Sequence, residues 1–139
     1  MKLRISHQIL QLDQDRRHND LRQFACWVAN QTKPNLAVHR DLVHMISEDV
    51  AKGRDAEKTC RLIHDSFSDV AIAAGAVGLR HAPKSASSFL ACYACSNAAP
   101  GFAAQNAVDW AIRWHLAATE SLDSTAFEEL ILDKLRSIG

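Results

Sequence analysis

The stretch Lys84–Thr119, KSASSFLACYACSNAAPGFAAQNAVDWAIRWHLAAT, decides the fold. Only Lys84, Asp109 and Arg113 in it carry charge. Alanines recur every three or four residues, which is one face of an α-helix. Alanine has the best helix propensity, and its small side chain lets helix axes approach closely. The spacing predicts two helices, one ending at Pro100-Gly101 and one carrying Val108, Ala111 and Trp114 on one side. Trp110 and Trp114 lie four residues apart, so they share a helical face, either as core or with one as a partly exposed interface anchor.

Charge thins toward this stretch. Met1–Asp69 holds 21 charged residues, whereas Val70–Ala118 holds only Arg80, Lys84, Asp109 and Arg113. The middle of the chain is therefore expected to supply most of the core, with the two ends wrapped around it. After Thr119, five acids (Glu120, Asp123, Glu128, Glu129, Asp133) face two bases, Lys134 and Arg136. The formal net charge of the 139 residues is zero. Bulk charge thus indicates neither a basic nucleic-acid binder nor an acidic mimic of nucleic acid.

Outward from the alanine-rich run the helical period continues. Ile5, Ile9 and Leu12 suit a first helix. Leu21, Phe24, Ala25 and Val28 share a face of a second, capped by Asn19 or Asp20 and stopped by Pro34. Leu42, Ile46 and Val50 mark a third that ends at Gly53. Asp55 caps a fourth with the stripe Ala56, Cys60, Ile63, Phe67, Val70 and Ala74. Ser85 caps the helix with Cys92. Thr125 and Glu128 form a capping box for the last helix, anchored by Leu130, Ile131 and Leu135. Strand signals are poor. The expectation is an all-α fold, a compact single-domain bundle of about six or seven helices over residues 1–139. No apolar run approaches membrane-spanning length, and Met1 leads into a mixed, charged segment rather than a signal peptide. A cytoplasmic protein without a cofactor is expected.

Cys92 and Cys95 stand at C-x-x-C spacing. A structural zinc site needs four ligands, and no second such pair exists. A redox dithiol needs a helix N-terminus, whereas these cysteines fall within a predicted helix. They read as core thiols, Cys92 nearer the centre. His39 or His44, then His64-Asp65, then Asp109 follow the order of metal ligands in helical phosphohydrolases of the HD type, an enzymatic alternative. "HRD" at His39–Asp41 echoes a kinase loop, but the chain lacks the other kinase elements. "DQDRRHNDLR", Asp13–Arg22, is a solvated face, or a contact surface in which Arg16 and Arg17 meet acidic or phosphate groups.

Several segments resemble the alanine-rich, Imm-type bacterial immunity proteins and a related group of helical bacterial proteins. Leu21, Phe24, Ala25, Ala29 and Pro34 match the leucine-led helix of those families. Ala51 and Gly53 match the turn that follows, and Ala71–Ala118 matches the alanine-rich helices. "FEELILDKLRSIG" resembles the closing helix of the related group. The regular histidines of the immunity family are missing from the alanine-rich half. The resemblance implies a small non-enzymatic protein that neutralises a cognate toxin by direct binding and occlusion, with no catalytic residues. Within that reading, Arg16, Arg17, Glu120, Asp123, Glu128 and Glu129 are the candidate contacts. No membrane and no direct nucleic-acid contact are expected. A regulatory or structural helical homodimer is a third reading.

Overall fold

Seven helices follow one another without a strand among the described residues. The computed structural model describes residues 2–33, 37–75 and 84–138, the side chains of residues 37–39 and 75 excepted. The helices are α1 (Lys2–Gln14), α2 (His18–Asn30), α3 (Ala37–Ala51), α4 (Glu57–Gly75), α5 (Lys84–Ala94), α6 (Pro100–Thr119) and α7 (Thr125–Ile138). The fold class is all-α, as the helical periods require.

Two large clusters make the core. Ile5, Ile9 and Leu12 of α1 meet Leu21, Phe24 and Val28 of α2, Ala103–Ala111 of α6 and Ile131 and Leu135 of α7. Cys26 and Ala29, on the other side of α2, meet Val43 and Ile46 of α3, Cys60 and Ile63 of α4 and Cys92 of α5. A smaller cluster joins Ala71 of α4 to Phe89 and Leu90 of α5. Trp110 packs against all three clusters. Ala103, Ala104, Ala107 and Ala111 are fully buried, so α6 lies close against both α5 and α2. Helix α4 touches only α5 and α3 extensively and forms one edge; α1 and α7 form the other.

Charge density is therefore a poor guide to the centre. Helix α2 comes from the charge-rich half, yet Leu21, Phe24, Ala25 and Val28 are wholly buried. The end of α4 comes from the charge-poor run, yet Val70 and Ile72 are 55% and 70% exposed. The apolar stripe of α4 runs through Ala56, Cys60, Ile63 and half-buried Phe67, then continues at Ala71 rather than Val70. An edge helix buries only the arc facing its neighbours, and Val70 falls outside that arc.

The termini correct several expectations. Helix α2 ends at Asn30, where the Thr32 hydroxyl donates to the Ala29 carbonyl and lies 2.9 Å from the Ser88 hydroxyl. Pro34 lies outside the described residues. Helix α3 closes as expected: Gly53 has φ +69°, and the Gly53 and Arg54 amides donate back to the Val50 and Asp49 carbonyls. That left-handed turn favours glycine. The Asp55 carboxylate accepts from the Glu57 amide, as a cap should. Ser85 lies inside the first turn of α5 rather than ahead of it. Pro100 does not close α5, which stops at Ala94; it opens α6 at the first turn, where a missing N–H costs nothing. Gly101 then allows close approach, since a Cβ there would lie 3.0 Å from the Asp13 carboxylate. Thr125 does not form a capping box with Glu128. Asp123 accepts from the Thr125 amide and hydroxyl, and the Ser124 hydroxyl donates to Glu128. Both caps start one or two residues earlier than the spacing suggests.

Candidate functional site

The basic stretch Asp13–Arg22 is largely spent on the fold. Arg22 is 6% exposed, and its guanidinium donates to the carbonyls of Cys95 at 2.8 Å, Asn97 at 2.5 Å and Ala98 at 3.2 Å. It stands at the C-terminal end of α5, where unpaired carbonyls gather and the helix dipole favours a cation. Arg17 donates to Asp20 at 2.5 Å and to the Ile138 carbonyl at 2.8 Å, fastening the α1–α2 turn to the end of α7. Only Arg16 is fully exposed, in a left-handed turn with φ 58°.

The acidic end is arranged differently. Among the described residues, none of Glu120, Asp123, Glu128, Glu129 and Asp133 forms an ion pair. Elsewhere Asp109 pairs with Lys2, Asp20 with Arg17, Glu48 with Lys52, Asp49 with Arg54 and Glu57 with Arg61, while among the described residues Asp15, Asp41, Asp55, Asp65 and Asp69 form none. Lys134, the nearest base in sequence, lies over the Trp27 ring instead. Thr125 holds the Asp123 carboxyl below the usual carboxylate range by hydrogen bonding, so it keeps its charge. Glu120 occupies the left-handed C-cap of α6 and is exposed. Among these carboxylates stand two exposed leucines, Leu122 and Leu130. The acidic set lies at the α6–α7 corner and along the outer face of α7. Arg17 meets the other end of that helix, about 21 Å from its start for 14 residues at 1.5 Å each, with Glu129 and Asp133 in between. Among the described residues no ion pair joins the two predicted contact groups.

The described members of the metal set do not converge. His44 is exposed and pairs with Glu48 at 3.2 Å on its own helix. His64 lies against Tyr93, ring centroids 5.1 Å apart. Asp65 is exposed on the same helix, and Asp109 is bound to Lys2 at 3.2 Å. The His39 side chain lies outside the described residues. Among the described residues no three His, Cys, Asp or Glu side chains are placed to share an ion.

The four cysteines, though far apart in sequence, all enter one core cluster. Cys95 is as buried as Cys92 and lies just past the end of α5, not within it. Its thiol donates to the Ala25 and Ala91 carbonyls. Burial pushes the Cys92 thiol up to about 12 and raises Cys60. The hydrogen bond with Cys26, and then burial, raise Cys95 well above the ordinary value. Such thiols stay protonated and are poor nucleophiles and ligands.

Comparison with protein-family models, curated proteins and solved structures finds no match.

One feature has no counterpart in the sequence reading. A cleft of about 230 Å3 opens between α4, α5 and α6, lined by His64, Ile72, Leu90, Tyr93, Asn106 and Trp110 among others. Its aromatic residues belong to a ladder: Phe67 to Phe89, Phe89 to Tyr93, Tyr93 to His64. Trp110 was legible as an anchor candidate, and it is half-buried while Trp114 is buried. Tyr93 and Asn106 gave no signal, because they belong to different helices and only packing brings them together.

Proposed function

We propose that the chain is a non-enzymatic protein-binding inhibitor of the immunity type, which neutralises a cognate toxin by docking the outer face of α7 onto it. The observation that carries this reading is the grouping of like charges with exposed apolar side chains at one end of the molecule. Among the described residues the five carboxylates from Glu120 to Asp133 form no ion pair, while two leucines among them are exposed. Asp123 and Glu128 also serve the start of α7, but as unpaired like charges the five repel one another. They become favourable against a basic partner surface, where they steer association, and Leu122 and Leu130 supply apolar area to bury. A toxin whose active site binds an anionic substrate offers such a surface, and carboxylates laid into it would exclude that substrate. The resemblance to immunity proteins supports the same reading, and among the described residues the candidate metal ligands of a hydrolase are dispersed.

The test is co-expression with the toxic domain encoded beside this gene. Protection of the host cell and a co-purifying complex are expected. Failure to bind or neutralise any adjacent effector would end the proposal. A stoichiometric metal lost in Asp65→Ala would favour the hydrolase instead.

A further inference from the structure

The cleft between α4, α5 and α6 is separate from the acidic face and holds chemistry that the fold does not use. Asn106 lies within α6, where asparagine is a weak helix former. It is half-buried in the most apolar part of the chain, yet among the described residues its amide has no hydrogen-bond partner. The Tyr93 hydroxyl has none either, and burial, followed by the charge of Asp65, raises its pKa and keeps it a neutral donor. Asn97, also on the cleft wall, accepts from the Ala99 amide with its side-chain oxygen, and its NH2 has no partner among the described residues. Around these groups stand the rings of His64, Tyr93 and Trp110 with Ile72 and Leu90. A helix interior that keeps an unpaired amide among rings departs from local consistency, and such departures concentrate at functional sites.

We infer that this cleft binds a free nucleobase or nucleoside: a neutral planar ring with hydrogen-bond donors and acceptors on its edge. The rings supply flat apolar surface, and Asn106, Asn97 and Tyr93 supply both donors and acceptors to a base edge. The volume suits one such ring, since an apolar cavity of about 150 Å3 already holds benzene. Among the described residues no lysine or arginine lines the cleft. Arg113 stands over the Trp110 ring with its Cζ 5.5 Å from the centroid. Phosphate groups thus find no partner, and a nucleic-acid strand finds no basic track.

The experiment titrates the full chain with adenosine, guanosine, cytidine and uridine, following the three indole N–H resonances by NMR. At least one nucleoside is expected to saturate and to move the Trp110 signal, leaving Trp27 and Trp114 in place. Asn106→Leu is expected to weaken that binding roughly tenfold, the value of one hydrogen bond to a desolvated edge, without lowering the unfolding temperature. The proposal is overturned if no nucleoside moves the Trp110 signal or if Asn106→Leu binds as the parent does. It is overturned equally if indole, with its single donor, binds as tightly as the best nucleoside. Adenosine monophosphate binding more tightly than adenosine would also contradict the neutral-ligand assignment.

Discussion

The start of α2 and the length of α7 use their charges in opposite ways. At α2 the charged groups are built into the fold: Arg22 holds three carbonyls past α5, and Arg17 holds the end of α7. On α7 the carboxylates turn outward without ion pairs, among exposed leucines. Two stretches that look alike in sequence, each a run of mixed charge beside a helix, therefore differ in what they are for. A charge that satisfies buried carbonyls stabilises the fold; on the function proposed above, the unpaired charges meet a partner.

The largest effects should come from the α2 side. Phe24→Ala empties a fully buried site between α1, α6 and α7 and should cost about 3–5 kcal/mol in urea unfolding. The same change at half-buried Phe67 on the edge helix should cost less than half of that. Arg22→Met keeps the apolar stem but strands three carbonyls, and should cost about 2–3 kcal/mol. Equal stability of Arg22→Met and the parent would remove the first half of the comparison.

Alkali should weaken the same region. Arg22 is tolerated in the interior because carbonyls meet it, whereas a thiolate there would have nothing comparable. A thiol whose folded pKa exceeds its unfolded value contributes stability that is complete below the unfolded pKa and disappears as pH rises through the folded one. With Cys92 raised from the ordinary 9.0 to about 12, and Cys60 and Cys95 raised beside it, stability should fall steadily between those two values. Denaturant midpoints measured across that interval check this, and Cys92→Ser should flatten the slope while costing some stability at neutral pH. A flat profile in the parent would contradict the burial of the thiols.

Arg17→Ala should cost about 1 kcal/mol, because one of its partners is a backbone carbonyl and the other is exposed. Substitutions on the outer face of α7 should be smallest of all, within about 0.5 kcal/mol.

Much of the fold was legible in the sequence because helical period depends on local spacing. The buried faces of α1 and α2, the Gly53 turn and the Asp55 cap all follow from residues within one or two turns of each other. Three things were not legible. Whether Pro100 ends one helix or opens the next depends on Ser96 and Asn97 already turning the chain. The exposure of Val70 depends on α4 being an edge helix, which no local window contains. The role of Arg22 depends on α5 ending beside it, 73 residues away in sequence. The candidate surfaces divide the same way. The acidic run at the C-terminal end was visible as composition, but its lack of counter-ions among the described residues was visible only in the packed structure. The Tyr93–Asn106–Trp110 cleft joins two helices and announces itself in neither.

The most direct test of the account is the triple variant Glu120→Lys, Glu129→Lys, Asp133→Lys, compared with the parent for unfolding midpoint and for complex formation with the toxic domain of the adjacent gene. The account predicts an unchanged or slightly raised midpoint together with loss of the complex. An undiminished complex, or a chain that no longer folds, would contradict it.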